Sequence, residues 1–380
     1  MESARIIVAI LGVVALFIIA FDAFETIVLP RRVVRRVRLA KIFYRVSWAC
    51  WAIIGRRLHA GNRREYYLSI YGPLSLIILL FMWAALFIVG FASLDWGLNL
   101  PMQAPEKVMG YGGYLYMSGT TFVTLGFGDI TPLSRLGRVL AVLEGGTGLG
   151  FLALVIGYVP VIYQTFSRRE INISLLDARA GTPPSAPELL IRHFRGANAD
   201  ELILYLRDWE RWCAELLESH LSYPVLAYYR SQHEDQSWLS ALTTMLDTCA
   251  LIMIGLDGVS LKPAKFLFAT ARHAAVDLTQ SFGIQPTRPQ RHYERADFTR
   301  LCEDFAARGI TLRDDDEAWK RLKDLRRMYE PFVEALAAYL LVSLPDMYII
   351  TDRVDDWQTS AWDHFLPSSP RVLDRAMRNG

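Results

Sequence analysis

Three apolar runs constrain the fold of this chain more than any other feature. They extend over residues 5–29, 68–94 and 136–166. A bilayer core of about 30 Å requires roughly 20 apolar residues in a helix, so each run is long enough to span it. Helices satisfy their own backbone hydrogen bonds, which lipid cannot do. The sequence therefore predicts three transmembrane helices and an all-α fold.

The first run has an alternative interpretation as a cleaved signal peptide. Only Arg5 precedes its apolar stretch, and no small-x-small cleavage site follows it. Both features argue against cleavage, because a signal peptide carries a basic start and ends at small residues. We therefore predict that residues 1–30 form an N-terminal transmembrane helix.

Basic residues between the first two runs predict the orientation of the chain. They are Arg31, Arg32, Arg35, Arg36, Arg38, Lys41, Arg45, Arg56, Arg57, Arg63 and Arg64, against the single acid Glu65. Cytoplasmic loops of membrane proteins are enriched in Lys and Arg. We therefore predict a multi-pass protein of the inner (plasma) membrane, with its N-terminus outside and its C-terminal region in the cytoplasm.

The same basic segment contains a cation at every third position from Arg32 to Lys41, a spacing also found in voltage-sensor helices. Its apolar continuation, residues 46–54, is too short to span a bilayer. We favour a basic interfacial helix within residues 31–66, with Trp48 and Trp51 at the membrane surface. Its predicted partners are anionic lipids, bound by Arg31, Arg32, Arg35, Arg36 and Arg38.

A short apolar stretch, residues 111–123, and a glycine-rich segment separate the second and third runs. The segment reads TTFVTLGFGDITP over residues 120–132. Irregular backbone at membrane depth is tolerated only where it is buried in protein or lines water. Carbonyl oxygens coordinate a cation when alternate residues have positive φ, which glycine adopts readily. Gly126 and Gly128 have that spacing, so the segment is predicted to line a pore.

This segment resembles the potassium-channel pore loop, whose pattern is Thr-x-x-Thr-aliphatic-Gly-aromatic-Gly-Asp. The pattern is filled by Thr121, Thr124, Leu125, Gly126, Phe127, Gly128 and Asp129. The third run is similar to the inner helix of bacterial two-helix channels, with Gly148 at the position of the hinge glycine. The resemblance covers residues 68–169. It implies a single-pore-loop channel with an extra N-terminal span and a helical cytosolic domain unfamiliar in that family.

The resemblance implies that the carbonyl oxygens of Thr124, Leu125, Gly126 and Phe127 replace the hydration shell of K⁺. It implies passive potassium conduction, with K⁺ as the permeant ion and without a cofactor. Leu125 stands where valine is commonest, and Phe127 lacks the hydroxyl of the usual tyrosine, which braces the filter. Both variants occur in two-pore-domain channels, so potassium selectivity is favoured. A weakly selective cation channel and a non-conducting membrane sensor are the alternatives.

One pore loop per chain predicts a homotetramer, because the ion requires a ring of four such loops. Within the third run, Glu144 is the acid at membrane depth, which is a functional hypothesis by default. It is predicted to point inward toward Thr120 and Thr121 or the upper cavity. Gly148 is a candidate hinge, and Pro160 is expected to kink the helix because it lacks a backbone donor. Close packing at Gly148 and bracing of the pore helix by Glu144 are the alternatives.

The composition predicts a pore domain over residues 67–178, a Pro- and Gly-containing linker over 179–187 and a helical cytosolic domain over 188–380. Residues 237–256 are apolar, but Asp247 and several hydroxyl side chains favour a buried core helix over a fourth span. A last helix is predicted over 315–341, bent at Pro331.

The cytosolic domain carries no pattern of catalytic chemistry. It has no glycine-rich phosphate loop, and the seven histidines and four cysteines of the chain show no metal spacing. The run RDDDE, residues 313–317, lacks the alternating acids of a calcium loop and is predicted to cap a helix. We therefore expect no enzyme activity and no nucleic-acid partner, and the sequence identifies no cytosolic ligand.

Overall fold

The computed structural model describes residues 2–29, 38–104, 110–194, 199–231, 236–286 and 293–348. The helices in chain order are α1 (Glu2–Ile27), α2 (Leu39–Arg57), α3 (Asn62–Gly97), α4 (Tyr111–Phe122), α5 (Arg135–Ala180), α6 (Ala186–Phe194), α7 (Ala199–Ser222), α8 (Trp238–Gly255), α9 (Leu261–Phe282), α10 (Arg295–Ala306), α11 (Asp316–Arg327) and α12 (Glu330–Leu340). A 3-10 helix, Pro224–Tyr228, lies between α7 and α8. The strands β1 (Met102–Gln103) and β2 (Thr131–Pro132) pair antiparallel. The predicted all-α fold is confirmed.

The described residues divide into two compact units. The first unit lies within Met1–Leu58, Tyr66–Thr165 and Ser222–Tyr229. The second unit lies within His59–Glu65, Phe166–Leu221 and Arg230–Gly380. This division differs from the predicted domain boundary at residue 178, because the chain changes unit within α5, and each unit includes a short segment that the sequence places with the other.

Among the described residues, four helices are long and apolar enough to cross a membrane, judged by length and composition: α1, α3, α5 and α8. The first three correspond to the predicted spans, and between 11% and 44% of the residues in their most apolar stretches is buried. In α8 the buried share is 89%. A helix that is apolar all round and enclosed by protein is a core helix. This burial favours the predicted core helix over a fourth span.

Small residues bring α1 and α3 of the first unit into close contact. A Cβ atom on Gly12 would lie 2.8 Å from the Gly90 carbonyl oxygen. A Cβ atom on Gly97 would lie 2.5 Å from the Ala9 nitrogen. Small residues at helix interfaces let backbones approach within membranes, where packing drives association. The N-terminal span therefore packs against the helix that begins the predicted pore domain.

A buried aspartate also joins α1 to the next two helices. Asp22 is 4% exposed. Its Oδ2 atom accepts hydrogen bonds from the Ala40 backbone N–H at 3.1 Å and from the Trp83 indole N–H at 3.0 Å. The first N–H groups of a helix lack intrahelical partners, so the carboxylate satisfies one of those of α2. Asp22 thus fixes the start of α2 and the middle of α3 to the first span.

The predicted linker, residues 179–187, is a tight turn in the second unit. Helix α5 continues to Ala180, and α6 begins at Ala186. The Ser185 N–H donates to the Ala180 carbonyl at 2.9 Å, and Ser185 Oγ accepts from the Glu188 N–H at 3.4 Å. Ser185 is 6% exposed. The Pro and Gly residues therefore end one helix and begin another instead of forming a spacer.

Helix α8 forms the centre of the second unit, packed by α6, α9, α11 and α12. The Tyr329 hydroxyl, preceding α12, donates to the Asp247 carboxylate within α8. Burial raises the pKa of Tyr329 well above its ordinary value, which keeps this donor protonated. Nearby, Arg326 pairs with Glu330 at 2.7 Å. Asp247 and Arg326 therefore each have a polar partner in this core.

The last predicted helix, residues 315–341, is two helices in the structure. Helix α11 ends at Arg327 and α12 begins at Glu330, so Pro331 lies in the first turn of α12. Proline is tolerated there because no intrahelical donor is needed. At the start of α11, Asp315 accepts a hydrogen bond from the Ala318 N–H at 2.7 Å. The predicted helix cap within RDDDE is confirmed.

Candidate functional site

The end of α4 holds the glycine-rich segment through backbone hydrogen bonds. The Thr120 carbonyl accepts from the N–H groups of Leu125 at 2.8 Å and of Gly126 at 3.1 Å. The Thr121 carbonyl accepts from the Thr124 N–H at 3.0 Å. The last carbonyl groups of a helix lack intrahelical donors, and here the segment supplies them. Residues 124–126 are therefore fixed to the helix that precedes them.

The backbone of this segment alternates in handedness. Thr124, Gly126 and Gly128 have φ of 62°, 54° and 78°, whereas the intervening Leu125 and Phe127 have no positive φ. The sequence predicted positive φ at the two glycines and did not anticipate it at Thr124. Alternation of this kind turns successive carbonyl oxygens toward one side of the chain. The segment therefore has the backbone that a carbonyl-lined cation path requires.

Thr124 adopts this conformation against its intrinsic preference. A non-glycine residue in the left-handed region loses about 1–2 kcal/mol, and for a β-branched residue it is a genuine outlier. Such strain persists only where neighbouring contacts enforce it, and it is typical of functional sites. At Thr124 those contacts are the hydrogen bonds on both sides, to Thr121 and from Leu125 to Thr120.

The side chains of the segment project outward from the single chain. Val123, Leu125 and Phe127 are exposed by 51%, 59% and 67%. Exposed apolar patches of this kind mark contact surfaces of proteins or membranes. The partial negative charge of the α4 C-terminus lies beside the same segment, since the carbonyl end of a helix carries about half an elementary charge. That end is an electrostatically favourable environment for a cation.

Glu144, in α5, is buried against α4. Its side chain is 1% exposed. Its Oε1 atom accepts a hydrogen bond from the Ser118 hydroxyl, which also lies 2.8 Å from the Ile88 carbonyl oxygen. The Oε2 atom is buried without a hydrogen-bond partner among the described residues. The carboxyl group thus contacts α4 at Ser118, two residues before Thr120, and its predicted role beside Thr120 and Thr121 or the upper cavity stays a prediction.

Gly148 lies against the end of α4. A Cβ atom at this position would overlap the Phe122 carbonyl oxygen and lie 2.8 Å from the carbonyl carbon. Only glycine allows this approach, which gives Gly148 a packing role whether or not it is a hinge. Pro160 lies within α5, which continues to Ala180. Its role as a gating kink stays a prediction, as does that of Gly148.

Most arginines predicted to bind lipid lie outside the described residues: Arg31, Arg32, Arg35 and Arg36. Arg38 is described and contacts protein. Its Nη2 atom donates to the Thr26 hydroxyl at 2.9 Å, and its Nε atom lies 3.7 Å from the Glu25 carboxylate. The exposed fraction of Trp48 is 3%. The prediction that Trp48 faces the membrane surface is therefore wrong.

Comparison with known proteins agrees with this geometry. Residues 75–164 match the sequence model of a family described as "Ion channel". The matched residues extend from α3 through α4 and the glycine-rich segment into α5. The resemblance drawn from the pore loop is confirmed at the level of an ion-channel domain.

A curated relative supports the membrane assignment. The uncharacterized membrane protein YdjJ of Bacillus subtilis (strain 168) is 24% identical over 213 residues, which cover 55% of this chain and 60% of the relative. The chain therefore spans less than two thirds of the relative's length. No solved structure matches the chain. Together with three apolar helices of spanning length, these findings support a multi-pass membrane protein in which residues 75–164 are similar to an ion-channel domain.

Proposed function

We propose that this chain assembles into a homotetrameric channel that conducts K⁺ passively, because residues 75–164 match a family model described as "Ion channel". The observation that carries the proposal is the alternation of positive φ at Thr124, Gly126 and Gly128. It directs the carbonyl oxygens of residues 124–127 to one side. Rings of such oxygens replace the hydration shell of K⁺. The ion needs no other cofactor.

The surroundings of the filter, residues 124–129, support the same function. Its N–H groups at Leu125 and Gly126 donate to the Thr120 carbonyl, which holds the backbone in the conformation that would present its carbonyl oxygens to an ion. The negative end of α4 favours cations over anions. Asp129 ends the filter with an exposed carboxylate, which adds negative charge at its mouth. The site therefore suits a dehydrated monovalent cation.

The exposed apolar surface supports assembly into a ring. One chain contributes one filter, and a carbonyl-lined path requires several around a common axis. Apolar side chains of the filter and α5 are exposed in the single chain, among them Leu125, Phe127, Val142 and Ile156. We propose that neighbouring copies cover those near the filter and that lipid covers the outer ones. We further propose an inner-membrane protein whose C-terminal region lies in the cytoplasm, a proposal that the basic residues between the first two spans support.

Flux measurements in liposomes test the proposal. The purified full chain is expected to pass K⁺ strongly in preference to Na⁺. Gly126→Ala is expected to abolish the flux, because alanine disfavours φ of 54° although nothing lies within 4 Å of its Cβ position. Gly112→Ala is the matched control. It also meets nothing within 4 Å, but lies in helix α4, so it is expected to retain flux.

Two other outcomes of the flux measurement would each favour one of the alternative functions. Equal K⁺ and Na⁺ flux would favour a weakly selective cation channel, for which Phe127 gives a reason because its ring offers no hydroxyl to brace the filter. Absence of flux in the folded wild-type protein would favour a non-conducting membrane sensor and overturn the proposal.

A further inference from the structure

A segment from the C-terminal part of the sequence is built into the first unit. Residues 222–229, SYPVLAYY, connect α7 to α8, yet Ser222–Tyr229 clusters with the apolar helices. Val225, Leu226 and Tyr228 are exposed by 1%, 1% and 3%. We call residues 222–229 the docking segment. Its burial shows that it is an integral part of that unit and not a surface loop.

Aromatic contacts hold the docking segment to α2 and α3. The Tyr228 ring centroid lies 5.1 Å from that of Trp48, 5.2 Å from that of Tyr71 and 5.9 Å from that of Tyr44. Aromatic pairs at 4.5–7 Å stabilise beyond the burial of their area. This cluster explains why Trp48 turns away from the membrane surface and into the protein.

The fit of the docking segment to α3 is close. A Cβ atom on Gly72 would lie 2.7 Å from the Tyr229 ring and 3.2 Å from the Tyr228 carbonyl oxygen. Gly72 is therefore the residue that admits the segment to this distance. A loosely adsorbed loop would not require glycine on the facing helix.

The docking segment also touches α5 beside Pro160. The Tyr223 ring lies 5.8 Å from that of Tyr158, which is 6% exposed. Tyr158 precedes Pro160 by two residues, at the place where α5 lacks a backbone donor. Helices bend most readily at such positions. A displacement of Tyr223 is therefore transmitted to α5 at the position where that helix bends most easily.

The residue after the docking segment is anchored in the second unit. Arg230 lies 3.3 Å from the Glu65 carboxylate. It donates to the Leu340 carbonyl oxygen at 2.5 Å and to the Leu341 carbonyl oxygen at 3.3 Å, at the C-terminal end of α12. A cation is stabilised at that end of a helix. One peptide bond thus joins Tyr229, fixed against α3, to a residue fixed at α12.

We propose that the docking segment is the coupling element through which the second unit controls the conformation of α5 around Pro160. Any change that moves the α12 end moves Arg230, and the chain carries that movement through Tyr229 to Tyr223 and Tyr158. A coupling of this kind requires contacts that differ between two states, and the aromatic contacts of the segment are those that would change. Its consequence for ion flow rests on the proposed channel function, but the mechanical coupling does not.

Hydrogen exchange of the full chain in lipid nanodiscs tests the coupling. Arg230→Gln removes the anchor at α12 without altering a residue of the first unit. It is expected to increase exchange in a peptide covering residues 151–165 by about fivefold or more. Arg313→Gln is the control, because Arg313 is a half-exposed arginine of the second unit with ion pairs to Asp315 and Glu317. It is expected to leave that peptide unchanged.

A second pair of variants tests the contact within the first unit. Tyr223→Leu is expected to increase exchange in residues 151–165, whereas Tyr223→Phe keeps the ring and is expected to match the wild type. Unchanged exchange of that peptide in either Arg230→Gln or Tyr223→Leu would overturn the coupling.

Potassium flux of the same samples separates this inference from the proposed function. Wild-type flux that persists while exchange in Arg230→Gln stays unchanged would leave the channel standing and remove the coupling. Absence of wild-type flux would overturn the channel, while the exchange results would still decide the coupling.

Discussion

Thr124 shows how the sequence enforces an unfavourable conformation at one residue. Its φ of 62° would be uncommon for threonine in a free loop. The neighbouring Leu125 and Gly126 N–H groups both reach the Thr120 carbonyl, which leaves the backbone between them little freedom. The short helix α4, directly before the filter, thus contributes the negative charge of its C-terminal end and the hydrogen bonds that hold the first turn of the filter. These hydrogen bonds lie within one chain.

Glu144 and Ser118 form a second support at the scale of single residues. We predict that Glu144→Gln alters single-channel K⁺ conductance or open probability without preventing assembly, because it changes the charge that a buried group beside the pore helix can carry. Ser118→Ala is expected to act in the same direction. It also destabilises the protein by about 1–3 kcal/mol, since it leaves the carboxyl group without its donor.

Single-channel recording and thermal unfolding of the purified protein check both variants. Wild-type currents over a range of pH in both variants would contradict a role in conduction and leave the pair as a brace of α4.

At the scale of elements, the contact of α5 with α4 depends on Gly148. Gly148→Ala is expected to destabilise the assembly by about 1–3 kcal/mol, because its methyl group would overlap the Phe122 carbonyl oxygen and force the helices apart. Gly150→Ala is the matched control one half-turn away, where nothing lies within 4 Å of the Cβ position. Thermal midpoints in detergent measure the difference. Equal midpoints for the two variants would show that the contact between Gly148 and α4 does not limit the thermal stability of the protein.

The elements that sequence reasoning predicts well are those with strong local signals. The apolar runs correspond to α1, α3 and α5, and the half-length stretch at 111–123 corresponds to α4. The filter pattern located the positive φ of Gly126 and Gly128, because glycine spacing reports backbone conformation directly. Thr124 gave no such signal, since its conformation is imposed by hydrogen bonds to the preceding helix.

Elements whose placement depends on distant partners were not predictable in the same way. The docking segment reads as an ordinary apolar connection, and only its tertiary contacts assign it to the first unit. Trp48 was assigned to the membrane surface because a tryptophan beside arginines is typical of that location. Trp48 instead packs against Tyr228, which lies far away in the sequence. Pro331 predicts a bend within one helix, but a new helix begins there instead.

At the scale of the whole molecule, the two units exchange short segments. The first unit receives Ser222–Tyr229, and the second receives His59–Glu65, the turn between α2 and α3. In that turn Arg64 donates to the Leu341 carbonyl oxygen at 3.3 Å, and Glu65 pairs with Arg230. Arg64 and Arg230 thus share the Leu341 carbonyl oxygen at the C-terminal end of α12, within the second unit.

A buried histidine makes the stability of the second unit dependent on pH. His220 is 1% exposed, and its Nε2 atom lies 3.2 Å from a guanidinium nitrogen of Arg169. Its Nδ1 atom lies 2.9 Å from the Leu216 carbonyl oxygen, and the Trp238 ring packs at 5.1 Å. Burial first, and the Arg169 charge second, lower the pKa of His220 well below its ordinary value of 6.5. The folded state thus requires the neutral ring.

The sign of the pH effect follows from this depressed pKa. In the unfolded chain His220 binds a proton as the pH falls through 6.5, while in the folded unit it stays neutral to lower pH. The free energy of unfolding is therefore expected to be unaffected by His220 above pH 6.5. Below it, that free energy should fall by up to about 1.4 kcal/mol per pH unit until the folded-state pKa is reached. Thermal unfolding measured as a function of pH in the intact protein would reveal this slope.

His220→Gln, which keeps an oxygen acceptor for Arg169 but does not titrate, is expected to flatten the slope of unfolding free energy against pH. His59→Gln, a change at an exposed histidine, is expected to retain it. An identical slope in both variants would assign the acid sensitivity to other groups and leave His220 as a packing residue.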